Sequence, residues 1–147
     1  MATRLSTGLV NKLMDTSSFD TIFNAGFIDI YSGTQPASAD DVPSGTKLCT
    51  IYSDGTAAGL HFAATAVNGA LSKLGAETWS GTVQNTGTAG WFRLREASDT
   101  GTAQSTTAAR MDGSIATSGA QMNLGSLTLT QGAPFVLTAA TFTLPQS

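Results

Sequence analysis

His61 is the one histidine of the 147-residue chain, and it stands in Leu60-His61-Phe62-Ala63, between apolar neighbours. An imidazole acts as a general base when a carboxylate orients it and a nucleophile lies within reach. No spacing in the sequence puts such partners beside His61, so a structural or surface histidine on a strand is expected. The carboxylates Asp29, Glu77, Glu96 and Asp99 fall in separate segments, without the pairing that glycoside hydrolysis requires. Asp40-Asp41 follows Pro36 in a loop. Hard cations want clustered carboxylates and carbonyls, but EF-hand spacing is missing, and capping or solvating the loop accounts for the pair. Cys49 is the single cysteine, which excludes an intramolecular disulfide and a multi-thiolate metal site within one chain. In Lys47-Leu48-Cys49-Thr50-Ile51-Tyr52 it reads as a small buried apolar residue. Gly87-Thr88-Ala89-Gly90 and Ser118-Gly119 lack the Gly-Lys-Ser/Thr continuation of a phosphate-cradling loop. The residues therefore predict no catalytic group, no metal site and no cofactor, and the chain reads as a non-enzyme.

Binding chemistry is better represented. In Trp91-Phe92-Arg93-Leu94-Arg95-Glu96 strand alternation sets Phe92 and Leu94 on one face and Trp91, Arg93 and Arg95 on the other. An apolar core takes the first pair, which predicts a Trp beside two Arg on the outer face. These are the residue types most enriched at binding hot spots, although a local cation–π pair on a solvated sheet would use them equally well. Trp79 and Trp91 are also the candidates for sugar stacking in a carbohydrate-binding reading.

The elements that must carry these side chains fall into two parts. Leu5, Leu9, Val10, Leu13 and Met14 recur near the spacing of one helical face, with Thr3 or Ser6 available as cap and Gly8 tolerated. A second turn over Phe19 to Asn24 stops at Asn24-Ala25-Gly26. Residues 1–26 are thus expected to form a helical arm that covers one end of the main domain or reaches a neighbouring subunit through Leu5, Leu9 and Leu13. From Phe27 onward, apolar segments separated by Gly, Pro, Asn, Asp and Ser recur at intervals of roughly ten residues, the pattern of an all-β fold. Strands are expected at 27–32, 46–53, 59–64, 69–74, 77–84, 89–96, 107–112, 120–124, 126–131 and 134–144. Asp54-Gly55, Asn68-Gly69 and Asp112-Gly113 suit tight hairpin turns. Phe135 and Leu137 differ in parity from Phe142 and Leu144, which predicts a β-bulge at Ala139-Ala140. No βαβ alternation occurs, so a parallel sheet is not expected. The fold class is all-β: an antiparallel, jelly-roll-like β-sandwich over residues 27–147 behind a short N-terminal helical arm.

Composition narrows the function. Charged residues make up 12% of the chain, about half the usual share, with Thr, Ser, Ala and Gly in their place. Few ionic groups need desolvating on contact, which favours a component of an assembly, a homo-oligomer, over a free monomer. A net charge of −3 and scattered Lys and Arg argue against nucleic acid. No run reaches the roughly 18 apolar residues of a membrane span. Met1 to Gly26 has no apolar core of a secretory leader, and a chain made and kept inside a cell is expected.

Three stretches carry a resemblance. They are Ile30-Tyr31-Ser32-Gly33-Thr34-Gln35-Pro36 continuing through Ala37-Ser38-Ala39-Asp40 and Gly45-Thr46-Lys47-Leu48; Gly87-Thr88-Ala89-Gly90-Trp91-Phe92-Arg93-Leu94; and Arg110-Met111-Asp112-Gly113-Ser114 with Thr117-Ser118-Gly119-Ala120-Gln121-Met122-Asn123-Leu124 and Phe142-Thr143-Leu144-Pro145. In this order they resemble a set of small virion proteins of tailed bacteriophages, and through them capsid decoration (cement) proteins. The sequence departs from that pattern at Gln121-Met122, where Ala-Asp is expected. The resemblance implies a place on the exterior of the capsid after synthesis in the bacterial cytoplasm. It also implies the major capsid protein as partner, assembly as a dimer or trimer, and no catalytic residue. A tail, baseplate or fibre-attachment component would share the same composition.

Overall fold

The computed structural model describes residues 3–15 and 17–144. Residues 1–2 and 16 of the expected arm and the last three residues of the expected sandwich lie outside it. Among the described residues the strands are β1 (Arg4–Leu5), β2 (Phe27–Ser32), β3 (Lys47–Ile51), β4 (Ala70–Ser72), β5 (Trp79–Thr82), β6 (Gly87–Arg95), β7 (Arg110–Ala116), β8 (Met122–Asn123), β9 (Thr128–Leu129), β10 (Pro134–Leu137) and β11 (Thr141–Thr143). The helices are α1 (Thr7–Asp15) and α2 (Phe19–Ile22). The main sheet runs β1-β7-β6-β2-β3, with β8 beside β7 and β9 beside β6. Two small antiparallel sheets, β10-β5 and β11-β4, complete the fold. It is all-β and sandwich-like, with short helices at its N-terminal end, as the punctuation predicts.

Strand alternation builds the core. Ile28, Ile30, Phe92, Leu94 and Met111 point from the main sheet toward Leu71, Trp79, Phe135, Leu137 and Phe142, and all of them are buried in one cluster. Phe62 belongs to it and meets Trp79 and Phe142 edge to face, at centroid distances of 5.4 and 5.7 Å, a geometry that aligns ring edges with ring faces.

Within this chain the N-terminal segment packs on this body and covers one end of the sandwich, the first of the two placements expected for the arm. Arg4 and Leu5 pair with Asp112 and Met111 at the sheet edge. Leu9, Ile22 and Phe23 belong to the core, and Leu5 and Leu13 pack against it. Ser6 makes the junction. Its backbone N–H donates to the Arg110 carbonyl, continuing the ladder, while its Oγ accepts the Leu9 N–H at 3.1 Å and caps α1. An apolar helical face needs a partner, and the nearest one is the end of this chain's own sandwich.

Further expectations change with the tertiary structure. Asn68 and Gly69 do form a hairpin turn, with φ of +51° and +76°. Asp112-Gly113 does not; it lies inside β7. Segment 59–64 makes only isolated bridges, at Leu60 and Phe62. The parity change near Ala139-Ala140 is no bulge: the chain leaves β5 after Leu137 and joins β4 at Thr141. Among the described residues one short parallel pair exists, Ile115 to Met122 and Ala116 to Asn123, made without a βαβ crossover.

Candidate functional site

The main sheet has a second face, and that face holds most of the fold's buried charge. Its strands align Asp29 of β2, Arg93 of β6, Asp112 of β7 and Arg4 of β1 as direct cross-strand partners. Opposite charges set directly across a ladder stabilise it. Arg93 is fully buried and donates from Nε and Nη2 to the two Asp112 oxygens, each at 2.8 Å. Asp29, also fully buried, accepts from Arg95 Nε at 2.7 Å and from Thr50 Oγ1 at 2.6 Å. Arg110 forks onto Asp99 at 2.7 and 2.9 Å. Unpaired, each such ion would cost several kcal/mol to bury.

The same guanidiniums hold two covering loops. Arg93 Nη1 donates to the carbonyls of Asp41 and Gly101 at 3.1 and 3.2 Å. Arg95 donates to the Asp99 carbonyl, and Arg110 to that of Ala103 at 2.8 Å. Trp91 donates its indole N–H to the Ser44 carbonyl at 3.2 Å. Loops 33–46 and 96–109 are thereby drawn over the sheet. Asp40 then ties the first of them to α1, accepting the Thr7 N–H at 2.8 Å and the Thr7 hydroxyl at 2.6 Å. Asp40 therefore serves as a clasp for a helix, while Asp41 accepts the Ser38 N–H within its own loop at 3.2 Å.

This arrangement corrects the expected contact surface. Parity is as predicted: Trp91, Arg93 and Arg95 share a face opposite Phe92 and Leu94. That face is not solvated, because Trp91 and Arg93 are fully buried and the Arg95 side chain is 11% exposed. Trp91 stacks on Tyr31 at 4.5 Å and lies 5.4 Å from the Arg93 guanidinium carbon, so the cation–π pair exists indoors. Trp79 is fully buried too, and neither indole offers a face to a sugar.

Burial and pairing show in the titrations. Burial, reinforced by Asp29, pushes the Tyr31 phenol up to about 12. Burial likewise lifts the Cys49 thiol to about 11, which makes it an inert core residue. Asp112 is raised because burial outweighs the Arg93 fork. Asp99 goes the other way: burial raises it, but hydrogen bonds from Arg110 and the Gly101 N–H more than reverse that.

His61 does acquire the carboxylate that its sequence context hides. Its Nδ1 lies 2.5 Å from Glu77 Oε1, and Glu77 Oε2 accepts the His61 backbone N–H and the Trp79 indole N–H at 3.1 and 2.8 Å. Burial raises Glu77, yet these donors hold it below the usual carboxylate range. The pair fixes the ring, and it also staples the 74–78 turn onto the buried Trp79.

Open apolar surface lies elsewhere. A groove of about 260 Å³ runs between α2 and the β4–β11 sheet, lined by Phe19, Ala64, Ala66, Leu71, Phe142 and Leu144. Among the described residues, Val67 and Met14 are the most exposed large apolar side chains, at 66% and 84%. No group of three or more metal-ligating side chains occurs among the described residues, and no described helix is long and apolar enough to cross a membrane. Comparison of the chain with protein-family models, with curated proteins and with solved structures gives no match.

Proposed function

We propose that this chain is a structural protein of a tailed-bacteriophage particle, one that decorates and cements the capsid shell through protein–protein contacts and carries out no catalysis. In this reading it works as a dimer or trimer on the outside of the capsid, with the major capsid protein as partner and neither nucleic acid nor membrane. The sequence resemblance supplies the virion; the distribution of charge is the observation that carries the contact role. The chain has only 7 basic and 10 acidic residues, and Asp29, Arg93, Arg95, Asp99, Arg110 and Asp112 lie inside. What remains outside is largely Ser, Thr, Ala and Gly, which meets another protein with little ionic desolvation.

A clip bound across subunits of a shell stabilises the closed lattice by mass action. Individually weak contacts suffice when many copies bind one repeating surface. The contact patch in this proposal is the apolar groove with Val67 beside it, together with Met14 on α1, in place of the buried Trp91 face. Immunogold microscopy of particles from a producing lysate, with antibody to the recombinant chain, tests the assignment. Dense label over heads is expected. Label confined to tails would move the same fold to a tail, baseplate or fibre-attachment role, and unlabelled particles would overturn the proposal. Val67→Lys combined with Met14→Lys is expected to leave the melting temperature within a few degrees and to lower co-sedimentation with heads.

A further inference from the structure

We infer that Asn68 is a site of spontaneous backbone modification, by deamidation through a succinimide, at the tip of the hairpin that rims the apolar groove. Asn68-Gly69 is the only Asn-Gly pair in the sequence. Glycine after asparagine removes the Cβ that would obstruct attack by the following backbone nitrogen. Both residues are exposed, so water and base reach them. The other four asparagines are less suited. Asn11 lies within α1 ahead of Lys12. Asn24 is followed by Ala25, whose Cβ obstructs the attack. The side-chain amides of Asn85 and Asn123 are tied to the carbonyls of Lys47 and Ala120, at 2.9 and 3.2 Å.

The chemistry balances without any co-reactant but water. The Gly69 backbone nitrogen bonds to Asn68 Cγ and gives up its proton, and the side-chain nitrogen leaves as ammonia. Water then opens the five-membered imide at either carbonyl, giving an aspartyl or an isoaspartyl residue at position 68. One water is consumed and one ammonia released, with no change of oxidation state.

The fold governs the rate and the consequence. Val67 and Ala70 exchange both backbone hydrogen bonds across the turn, at 2.8 and 3.0 Å. These hold the turn shut, so attack proceeds when the tip opens and is slower than in an unfolded chain. An isoaspartyl product adds a main-chain atom to a two-residue loop whose positive φ angles match the strand twist. It cannot regain both hydrogen bonds, and it adds a negative charge beside Gly69, which lines the groove. Because the ammonia is lost to solvent, the amide is not restored, and the change marks the age of the molecule on an apolar surface.

The test is to hold the folded protein in mildly alkaline buffer beside a urea-denatured sample. Acidic species are resolved by ion exchange, and position 68 is read by peptide mass mapping with isoaspartate-specific methylation. The expected result is conversion at Asn68 ahead of every other asparagine, more slowly in the folded sample than in urea. Asn68→Gly keeps a positive-φ turn and removes the amide, and is expected to abolish the early acidic species. Conversion first at another asparagine, or none at Asn68 in the folded protein while the denatured sample converts, would overturn the inference.

Discussion

Asp112 shows how far a side chain's role depends on what lies across the ladder from it. Followed by glycine, it has the form of a turn residue, yet it sits in mid-strand as the partner of Arg93. Gly113 is required there for a different reason: a Cβ would come within 2.6 Å of the Phe92 ring. Removing one member of a buried ion pair strands the other, so Asp112→Ala is expected to cost about 3–5 kcal/mol. The double replacement Arg93→Met with Asp112→Leu is expected to cost less, because no unpaired charge remains. Urea denaturation of the three proteins measures both, and a double variant as unstable as the single would contradict the ion-pair account. Trp91→Ala belongs to the same class. With the indole stacked on Tyr31 and its N–H bonded to Ser44, loss of roughly 3–5 kcal/mol of stability is expected. The strand pattern already separated Trp91, Arg93 and Arg95 from Phe92 and Leu94. That Arg93 falls in the middle of a strand of so weakly charged a chain, with Arg95 two residues on, was the available sign that their face is covered.

The helix α1 is the element for which the sequence left two destinations open, the end of the sandwich or a neighbouring subunit. Its apolar spacing and its Ser6 cap are local properties and were legible. Its destination was not, since an amphipathic stripe states only that something covers it. Gly8 settles where it docks: a Cβ there would overlap the backbone carbonyls of Thr107 and Ala108. Alanine normally favours a helix by about 1 kcal/mol over glycine. Here backbone must move to admit it, and Gly8→Ala is expected to destabilise by about 1–3 kcal/mol, read as a lower melting temperature. A rise in melting temperature would show that α1 does not press on that loop. Deletion of residues 1–24 removes β1 and the core side chains of Leu9, Ile22 and Phe23, and it is expected to unfold the domain, with loss of the cooperative melt.

For the molecule as a whole, the internal charges predict the response to acid. Asp99 and Glu77 are held below their ordinary values in the folded state. A depressed carboxylate stabilises the fold above its unfolded pKa, about 4 for Asp and Glu, and that stabilisation is lost as pH falls through the lower folded value. Thermal stability is therefore expected to hold from neutral pH to about 5 and then to fall. Asp99→Asn with Glu77→Gln is expected to melt lower at neutral pH and to show a shallower decline in acid, as followed by circular dichroism. An unchanged acid slope in the double variant would shift the acid response to other groups.

The sequence by itself determined what depends on near neighbours: an all-β chain, where most strands lie, the Asn68-Gly69 turn, the capped helix, and which side chains share a strand face. Those follow from backbone sterics and a two-residue repeat, which act over a few positions. Tertiary structure alone decided what each face meets. Asp29, Arg93, Asp112 and Arg4 come from four separate strands and become one row only when the register is set. Glu77 reaches His61 only because the turn between them folds back. Whether a polar face is solvated or sealed is fixed by loops distant in sequence, and their cost of burial is met by partners that no local pattern specifies.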